Sequence, residues 1–208
     1  MLNYHRFIVN MVRVNSYLVW DEHERTCLII DPGFSTVSEE NTLLQVLDEH
    51  KLQLTRCICT HLHFDHIWGA QFIYNNFGIP IEVPQPDIVQ LPDFRHQMMA
   101  FGLPDIGDST SYATLPLPEF IRFGAIEMKV MHTPGHSPGH VCFYDECHGV
   151  LFSGDVLFQG GYGRYDLWGG DQKTLMSSIQ KLLALPPSTK VLPGHGEETT
   201  INAELLHF

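Results

Sequence analysis

The sequence predicts one α/β domain, and three observations carry that prediction. The 208 residues are 44% hydrophobic, which suffices to bury a sizeable core at single-domain length. Strand-like runs alternate with amphipathic helical runs, and the second half of the chain roughly echoes the first: strands, then a helix, then a closing strand. Several apolar strand-like runs end in short turns rich in His, Asp, Gly and Pro.

Taken in order, alternating apolar residues predict strands over 4–9, 13–20 and 26–30, an antiparallel meander whose last two members are joined by Asp21-Glu22-His23-Glu24. From Ser38 to His50, Leu43, Leu44 and Leu47 share one helical face, and Thr36 and Ser38 stand where a cap belongs. A strand over 54–60 follows, then a helix from Asp65 to Asn76 that stops at Phe77-Gly78. Residues 84–118 are rich in Pro, Asp and Gly around one predicted helix over 87–101. So long a connection is either a lid over a site or a surface insertion with its own apolar cluster. Strands return at 119–123, 125–131, 140–144 and 149–153, and a Gly-rich loop spans 159–163. A helix from Asp171 to Leu185 carries Leu175, Ile179, Leu182 and Leu183 on one face, and a strand at 189–192 closes the domain, which spans 1–208. No fixed-period repeat accompanies the echo, which excludes a solenoid.

Composition removes several function classes. Twelve Lys and Arg against 24 Asp and Glu leave a formal charge of −12, which argues against a nucleic-acid partner. No apolar run approaches the roughly 20 residues of a membrane span, and Met1 to Trp20 lack the features of a secretory signal. Five Cys, an odd number, give no disulfide framework and fit a reducing cytoplasm. Cys57 and Cys59 flank Ile58 in a strand, share one face and read as core.

The 13 His include a dense group. Thr60-His61-Leu62-His63-Phe64-Asp65-His66 gives H-x-H-x-D-H directly after an apolar strand. Two imidazoles at i and i+2 in a turn can chelate one ion. Asp65 and His66, carried into the following helix, aim at a neighbouring position, so the motif suggests two metal sites. The same arrangement of strand and then ligand-type residue recurs as 128–131 runs into His132-Thr133-Pro134-Gly135-His136, 150–152 into Ser153-Gly154-Asp155, and 190–192 into Pro193-Gly194-His195. Taken singly these turns are weak signals, but four such strand ends can converge on one edge of a sheet sandwich. His132 and His140 read as supporting or packing residues, Trp68 as the core face of its helix, and His5, His23, His50, His96, His148 and His207 have no ligand spacing.

With Asp31-Pro32-Gly33 and the final Pro-Gly-His-Gly added, the chain resembles the metallo-β-lactamase-fold hydrolases, specifically the short, single-domain glyoxalase II-like (hydroxyacylglutathione hydrolase-like) branch. The resemblance implies an αββα sandwich with a binuclear site along one edge. His61, His63 and His136 would hold one metal, Asp65, His66 and His195 the second, and Asp155 would bridge them. The implied cofactors are two divalent ions, zinc first, with iron and manganese suiting the same donors. The implied reaction is hydrolysis of a thioester such as S-lactoylglutathione by attack of a metal-bridging hydroxide on the carbonyl, with Asp65 also assigned to catalysis. Asp31 either supports the site from behind a ligand or serves only the turn.

Gly163-Arg164-Tyr165-Asp166-Leu167 resembles the G-R-x-D-L stretch of the short glyoxalase II-like proteins and of persulfide dioxygenases. Arg164 either grips a substrate carboxylate or pairs with Asp166 to shape the loop, and Tyr162 and Tyr165 are candidate pocket walls. Full-length glyoxalase II enzymes continue into a helical domain that supplies glutathione contacts, so the resemblance leaves the pocket open. The competing functions are a mononuclear iron persulfide dioxygenase, a lactone or β-lactam hydrolase, and a redox partner module with a structural metal. The expected partner is a small acyl or glutathione-type substrate, with no nucleic acid or membrane, and the protein a monomer or small homo-oligomer.

Overall fold

The computed structural model describes residues 1–104 and 113–208. The chain opens with β1 (Leu2–Val9), β2 (Val14–Asp21) and β3 (Thr26–Ile30), an antiparallel meander as the alternation predicts. Helix α1 (Val37–His50) crosses over to β4 (Gln53–Ile58), parallel to β3. Helices α2 (Phe64–Ile67) and α3 (Ala70–Phe77) precede β5 (Ile81–Val83), and α4 (Gln85–Gln90) and α5 (Phe94–Ala100) precede β6 (Thr114–Pro116). These six strands form one sheet in sequence order.

The second sheet begins with antiparallel β7 (Phe120–Phe123), β8 (Ile126–His132), β9 (Val141–Asp145) and β10 (Val150–Gly154). After a small hairpin, β11 (Leu157–Phe158) and β12 (Gly161–Tyr162), helix α6 (Gln172–Leu183) crosses over to β13 (Lys190–Pro193), which lies parallel to β10. Strand β14 (Thr199–Thr200) and helix α7 (Ile201–Glu204) complete the chain's elements, and the sheet order is β14-β13-β10-β9-β8-β7.

Period-two alternation turns these sheets into layers. Tyr17, Val19, Leu28, Ile30 and Ile58 from the first sheet meet Ile121, Met128, Val141, Phe143, Phe152 and Leu192 from the second in one buried cluster. The opposite faces serve other clusters. Leu18, Cys27, Ile29, Cys57 and Cys59 pack with Leu43 and Leu47 of α1 and Ile73 of α3, while Cys142, Leu151 and Val191 pack with Leu175, Ile179 and Leu182 of α6. Helix, sheet, sheet, helix is therefore the order of the layers, with three apolar seams between them. No helix among the described residues is long and apolar enough to cross a membrane.

Two predicted helices are interrupted. The helix expected over Asp65 to Asn76 breaks at Gly69, whose N–H turns out of the helix to donate to the Pro32 carbonyl at 2.7 Å. The helix expected over 87–101 becomes α4 and α5. Pro92 forbids the continuous ladder, and Asp93 starts the second helix by accepting from the His96 N–H at 2.9 Å. Part of the predicted 84–118 segment, at 105–112, lies outside the described residues. In the described part, Phe94 and Met98 join the core against the first sheet rather than forming a separate cluster.

Candidate functional site

Parallel pairing of β3 with β4 and of β10 with β13 brings the C-terminal ends of these strands to a common edge of the two sheets. Asp31 follows β3, His61 to His66 follow β4, Asp155 follows β10 and His195 follows β13, while His136 sits in the turn after β8. The sheets are stitched together at this edge. The Asn15 N–H donates to the Gly194 carbonyl at 2.7 Å, its amide reaches the Pro193 and Gly196 carbonyls at 2.9 Å each, and the Tyr17 hydroxyl donates to the Pro193 carbonyl at 2.8 Å. Two glycines are required by close approach. Gly135 has φ +126, and a Cβ there would run into the Leu175 backbone; a Cβ on Gly194 would meet the Asp155 carboxylate.

Seven side chains from these turns converge. His63 Nδ1 and His61 Nε2 lie 2.8 and 3.1 Å from His136 Nε2. Two nitrogens each ~2.1 Å from one ion stand ~3.0–3.4 Å apart in octahedral or tetrahedral geometry, so this end has the spacing of a metal cradle. At the other end, His195 Nε2 is 3.3 Å from Asp65 Oδ2 and 3.5 Å from Asp155 Oδ2, and His66 Nε2 is 3.5 Å from Asp65 Oδ2. Asp155 lies between the ends, Oδ2 at 3.7 Å from His136 Nε2 and Oδ1 at 3.4 Å from His66 Nε2. His66 Nε2 and Asp155 Oδ1 are buried without a hydrogen-bond partner, which a cation between them would supply. Ligand atoms close enough to share an ion occur in three overlapping groups: His61, His63 and His136; His61, His66 and Asp155; and Asp65, His66 and His195.

The hydrogen bonds behind the ring nitrogens fix which lone pairs face inward. Asp31 accepts from the Thr60 N–H at 2.7 Å and from the Thr60 hydroxyl at 2.9 Å, and its Oδ2 lies 3.0 Å from His66 Nδ1. A carboxylate only accepts, so Nδ1 carries the proton and Nε2 of His66 faces the site. Thr60 has spent its one proton on Asp31, so His61 Nδ1 donates to the Thr60 oxygen at 3.0 Å and Nε2 faces inward. His136 Nδ1 donates to the Arg164 carbonyl at 2.7 Å. Asp31 itself adopts the left-handed backbone, φ +52, a conformation that Asp tolerates better than most residues.

Electrostatically the two ends differ. Burial lowers the pKa of His61 well below the ordinary imidazole value, takes His63 down to about 3, and lowers His136. Burial also opposes charge on His66 and His195, but Asp155 and Asp65 outweigh it, with Asp31 adding at His66, so both are raised. Conversely, burial pushes Asp155 and Asp65 upward, yet the neighbouring His66 and His195 prevail and hold both carboxylates below their usual range.

A cavity of about 190 Å³ opens onto these side chains, and its remaining walls are Val12, Phe64, Phe101, Leu167 and Arg164. Arg164 grips Asp166 in a two-pronged pair at 2.7 and 2.9 Å, so the internal pairing is the one present. Neither tyrosine is among the cavity walls. Tyr162 is partly exposed with its ring 5.8 Å from Phe208, and Tyr165 packs against the α6 core. The aromatic wall comes instead from Phe64 and Phe101, ring centroids 5.1 Å apart, with Trp168 standing 6.4 Å from His63.

The supporting role expected of His140 is present, that expected of His132 is not, and Asp87 and Gln97 carried no sequence signal. His140 is fully buried; its Nε2 accepts from the Asp155 N–H at 3.0 Å and its Nδ1 donates to the Thr133 oxygen at 3.0 Å, which makes it a neutral prop for the Asp155 turn. His132, by contrast, is exposed and bonds the Pro138 carbonyl at 3.2 Å, outside the site. Asp87 and Gln97, from α4 and α5, are buried and bond the backbone of the H-x-H-x-D-H turn. Burial raises the pKa of Asp87, against the pull of the donors around it.

Comparison with known proteins agrees with this fold. A family model described as the metallo-beta-lactamase superfamily matches residues 9–195. The chain is 37% identical over 204 residues to the hydroxyacylglutathione hydrolase GloC of Haemophilus influenzae, covering 94% of this chain and 92% of that one. Among solved structures, it matches the BLEG-1 B3 metallo-beta-lactamase with a TM-score of 0.83 and 33% identity, over 99% of this chain and 97% of that one. It also matches TTHA1623 in a di-iron-bound form, with a TM-score of 0.82 and 35% identity, over 97% and 96% of the two chains.

Proposed function

Since this chain belongs to the metallo-beta-lactamase superfamily, we propose that it is a metal-dependent hydrolase of thioesters, with S-lactoylglutathione as the reference substrate. The observation that carries the proposal is the completeness of the second end. Asp65, His66 and His195 stand together beside the three-imidazole cradle, and His66 Nε2 and Asp155 Oδ1 face each other at 3.4 Å with no other partner. A mononuclear iron persulfide dioxygenase would use only part of that set.

His61, His63 and His136 would hold one divalent ion and Asp65, His66 and His195 the other, with Asp155 shared. When bound, such ions lower the pKa of water toward 7 and polarise a carbonyl. The chain's own residues supply the rest. Asp31, Thr60 and the Arg164 carbonyl keep His66, His61 and His136 in the tautomers that present Nε2 to the site. Asp65 lies at the cavity wall, and the neighbouring His66 and His195 hold its carboxyl below the usual range, which favours the anionic form that would hold the second ion beside the acyl group. Val12, Phe64, Phe101 and Leu167 give the acyl group an apolar wall, and a cavity of about 190 Å³ suits a small one, leaving the thiol carrier to project outward.

Elemental analysis of protein purified without added metal, beside a thioester hydrolysis assay on the same sample, tests the proposal. Two zinc or mixed ions per chain with turnover of S-lactoylglutathione is the expected result. One iron per chain, no thioester turnover, and oxygen uptake with glutathione persulfide would overturn it in favour of the dioxygenase.

A further inference from the structure

We propose that Asp87 is a positioning residue that sets the three-imidazole end of the site, by clamping together the two turns that carry its histidines. Asp87 sits in the first turn of α4 and is 1% exposed, yet no apolar residue would serve there. Its Oδ2 accepts from the Leu62 N–H at 3.0 Å and from the Ser137 hydroxyl at 2.8 Å, and its Oδ1 accepts from the Gly139 N–H at 2.5 Å. Leu62 lies between His61 and His63, and Ser137 follows His136 directly. One carboxylate thus joins the turn after β4 to the turn after β8, across the gap in which His63 Nδ1 and His136 Nε2 stand 2.8 Å apart. Gly139 leaves room for the clamp, since a Cβ there would lie 2.8 Å from Asp87 Oδ1. Gln97 completes the hold on the same turn, accepting from the Phe64 N–H at 3.0 Å and donating to the Leu62 carbonyl at 2.8 Å.

All three partners of Asp87 donate, so only a group with two acceptor oxygens satisfies them. Asn, of the same size, turns an NH₂ toward a donor and loses part of the clamp. None of these contacts reaches the other end, where Asp31 has the corresponding place behind His66. Asp87 therefore acts on the imidazole end, whereas Asp31 touches His66 directly and His61 through Thr60.

Because the inference rests on the metal-holding role proposed above, its test measures each end alone by calorimetric titration of apo protein with Zn²⁺. His195→Ala leaves the imidazole end to be read by itself, and His136→Ala leaves the carboxylate end. Adding Asp87→Asn is expected to weaken Zn²⁺ binding about 10- to 100-fold in the first background, the usual cost of losing a group that orients ligands, and by no more than about twofold in the second. An equal loss in both backgrounds, or a lower melting temperature with unchanged Zn²⁺ affinity, would overturn it and leave Asp87 as a fold residue. Should Asp87→Asn fail to fold, Ser137→Ala removes one of the three bonds and is expected to weaken only the imidazole end, by several-fold; no change there would also overturn the inference. No Zn²⁺ uptake in either parent background would instead overturn the metal-holding role itself.

Discussion

The imidazole end and the carboxylate end of the site lie side by side, yet they are built on opposite electrostatic principles. His61, His63 and His136 gather three neutral rings whose protonation burial has suppressed. Around His66 and His195, the carboxylates of Asp65 and Asp155 overcome burial and favour protonated rings. The first end disfavours protons; the second favours them more, so that a cation there competes with protonation. His66 is as buried as the three rings of the first end and is raised all the same, so the carboxylates within its reach decide the difference.

The largest expected effect breaks both ends at once. Asp155→Ala removes the side chain that lies 3.4 Å from His66 Nε2, 3.5 Å from His195 Nε2 and 3.7 Å from His136 Nε2. Turnover should fall well beyond the roughly 100-fold typical of losing a group that only orients a ligand, with metal content falling in parallel. Metal analysis and an S-lactoylglutathione assay on one preparation check this. Full activity in metal-depleted Asp155→Ala protein would sink the proposed chemistry.

A pH series sharpens the comparison without mutation. Raised pKa values at His66 and His195 mean that metal entering the carboxylate end must release protons, so affinity there falls as pH drops below those values, by up to about tenfold per pH unit for each proton displaced. Lowered values at His61, His63 and His136 mean that fewer protons must leave these rings, and affinity at their end should depend less on pH between 8 and 6 than affinity at the other. Titrating apo protein with Zn²⁺ at several pH values should resolve one steeper and one shallower dependence; two equal slopes would contradict the contrast. Asp31→Asn acts on the same contrast from behind His66, and should weaken the carboxylate end about 10- to 100-fold and the imidazole end by less, since Asp31 reaches His61 only through Thr60. A uniform loss would mean that Asp31 serves only its turn.

What the sequence disclosed follows the range of the interactions involved. Alternation exposed β1 to β4 and β7 to β10 because each strand is long enough to show its period, whereas β5, β6, β11, β12 and β14, of two or three residues, show none. The H-x-H-x-D-H turn stood out because its four polar side chains are neighbours in the chain, and His136, Asp155 and His195 became legible only together with it. Asp87, Gln97 and Asn15 were silent, and of His140 only a supporting or packing role was legible, not its partner. Each acts through backbone groups 15 to 178 residues away, and nothing local marks an Asp in a Pro-rich segment as a clamp. The run over 87–101 reads as one helix but forms two for a simpler reason: its helical spacing continues across Pro92, whose missing N–H breaks the ladder.

The smallest effect on activity is expected just behind the imidazole end. Cys57 lies near the end of β4, four residues before His61, is fully buried in the core cluster, and has its thiol pKa raised by that burial. Cys57→Ser keeps the volume but leaves a hydroxyl in an apolar seam, which costs about 1–3 kcal/mol of stability. For a chain of this size that lowers the melting temperature by about 2–4 °C per kcal/mol. Turnover and Zn²⁺ affinity at either end should change by no more than about twofold, because the turn beyond β4 is held by Asp31, Asp87 and Gln97 rather than by packing at position 57. Thermal melts and Zn²⁺ titration of the same variant separate the two quantities. If metal affinity at the imidazole end fell along with the melting temperature, the strand rather than the polar clamps would be what spaces the histidines.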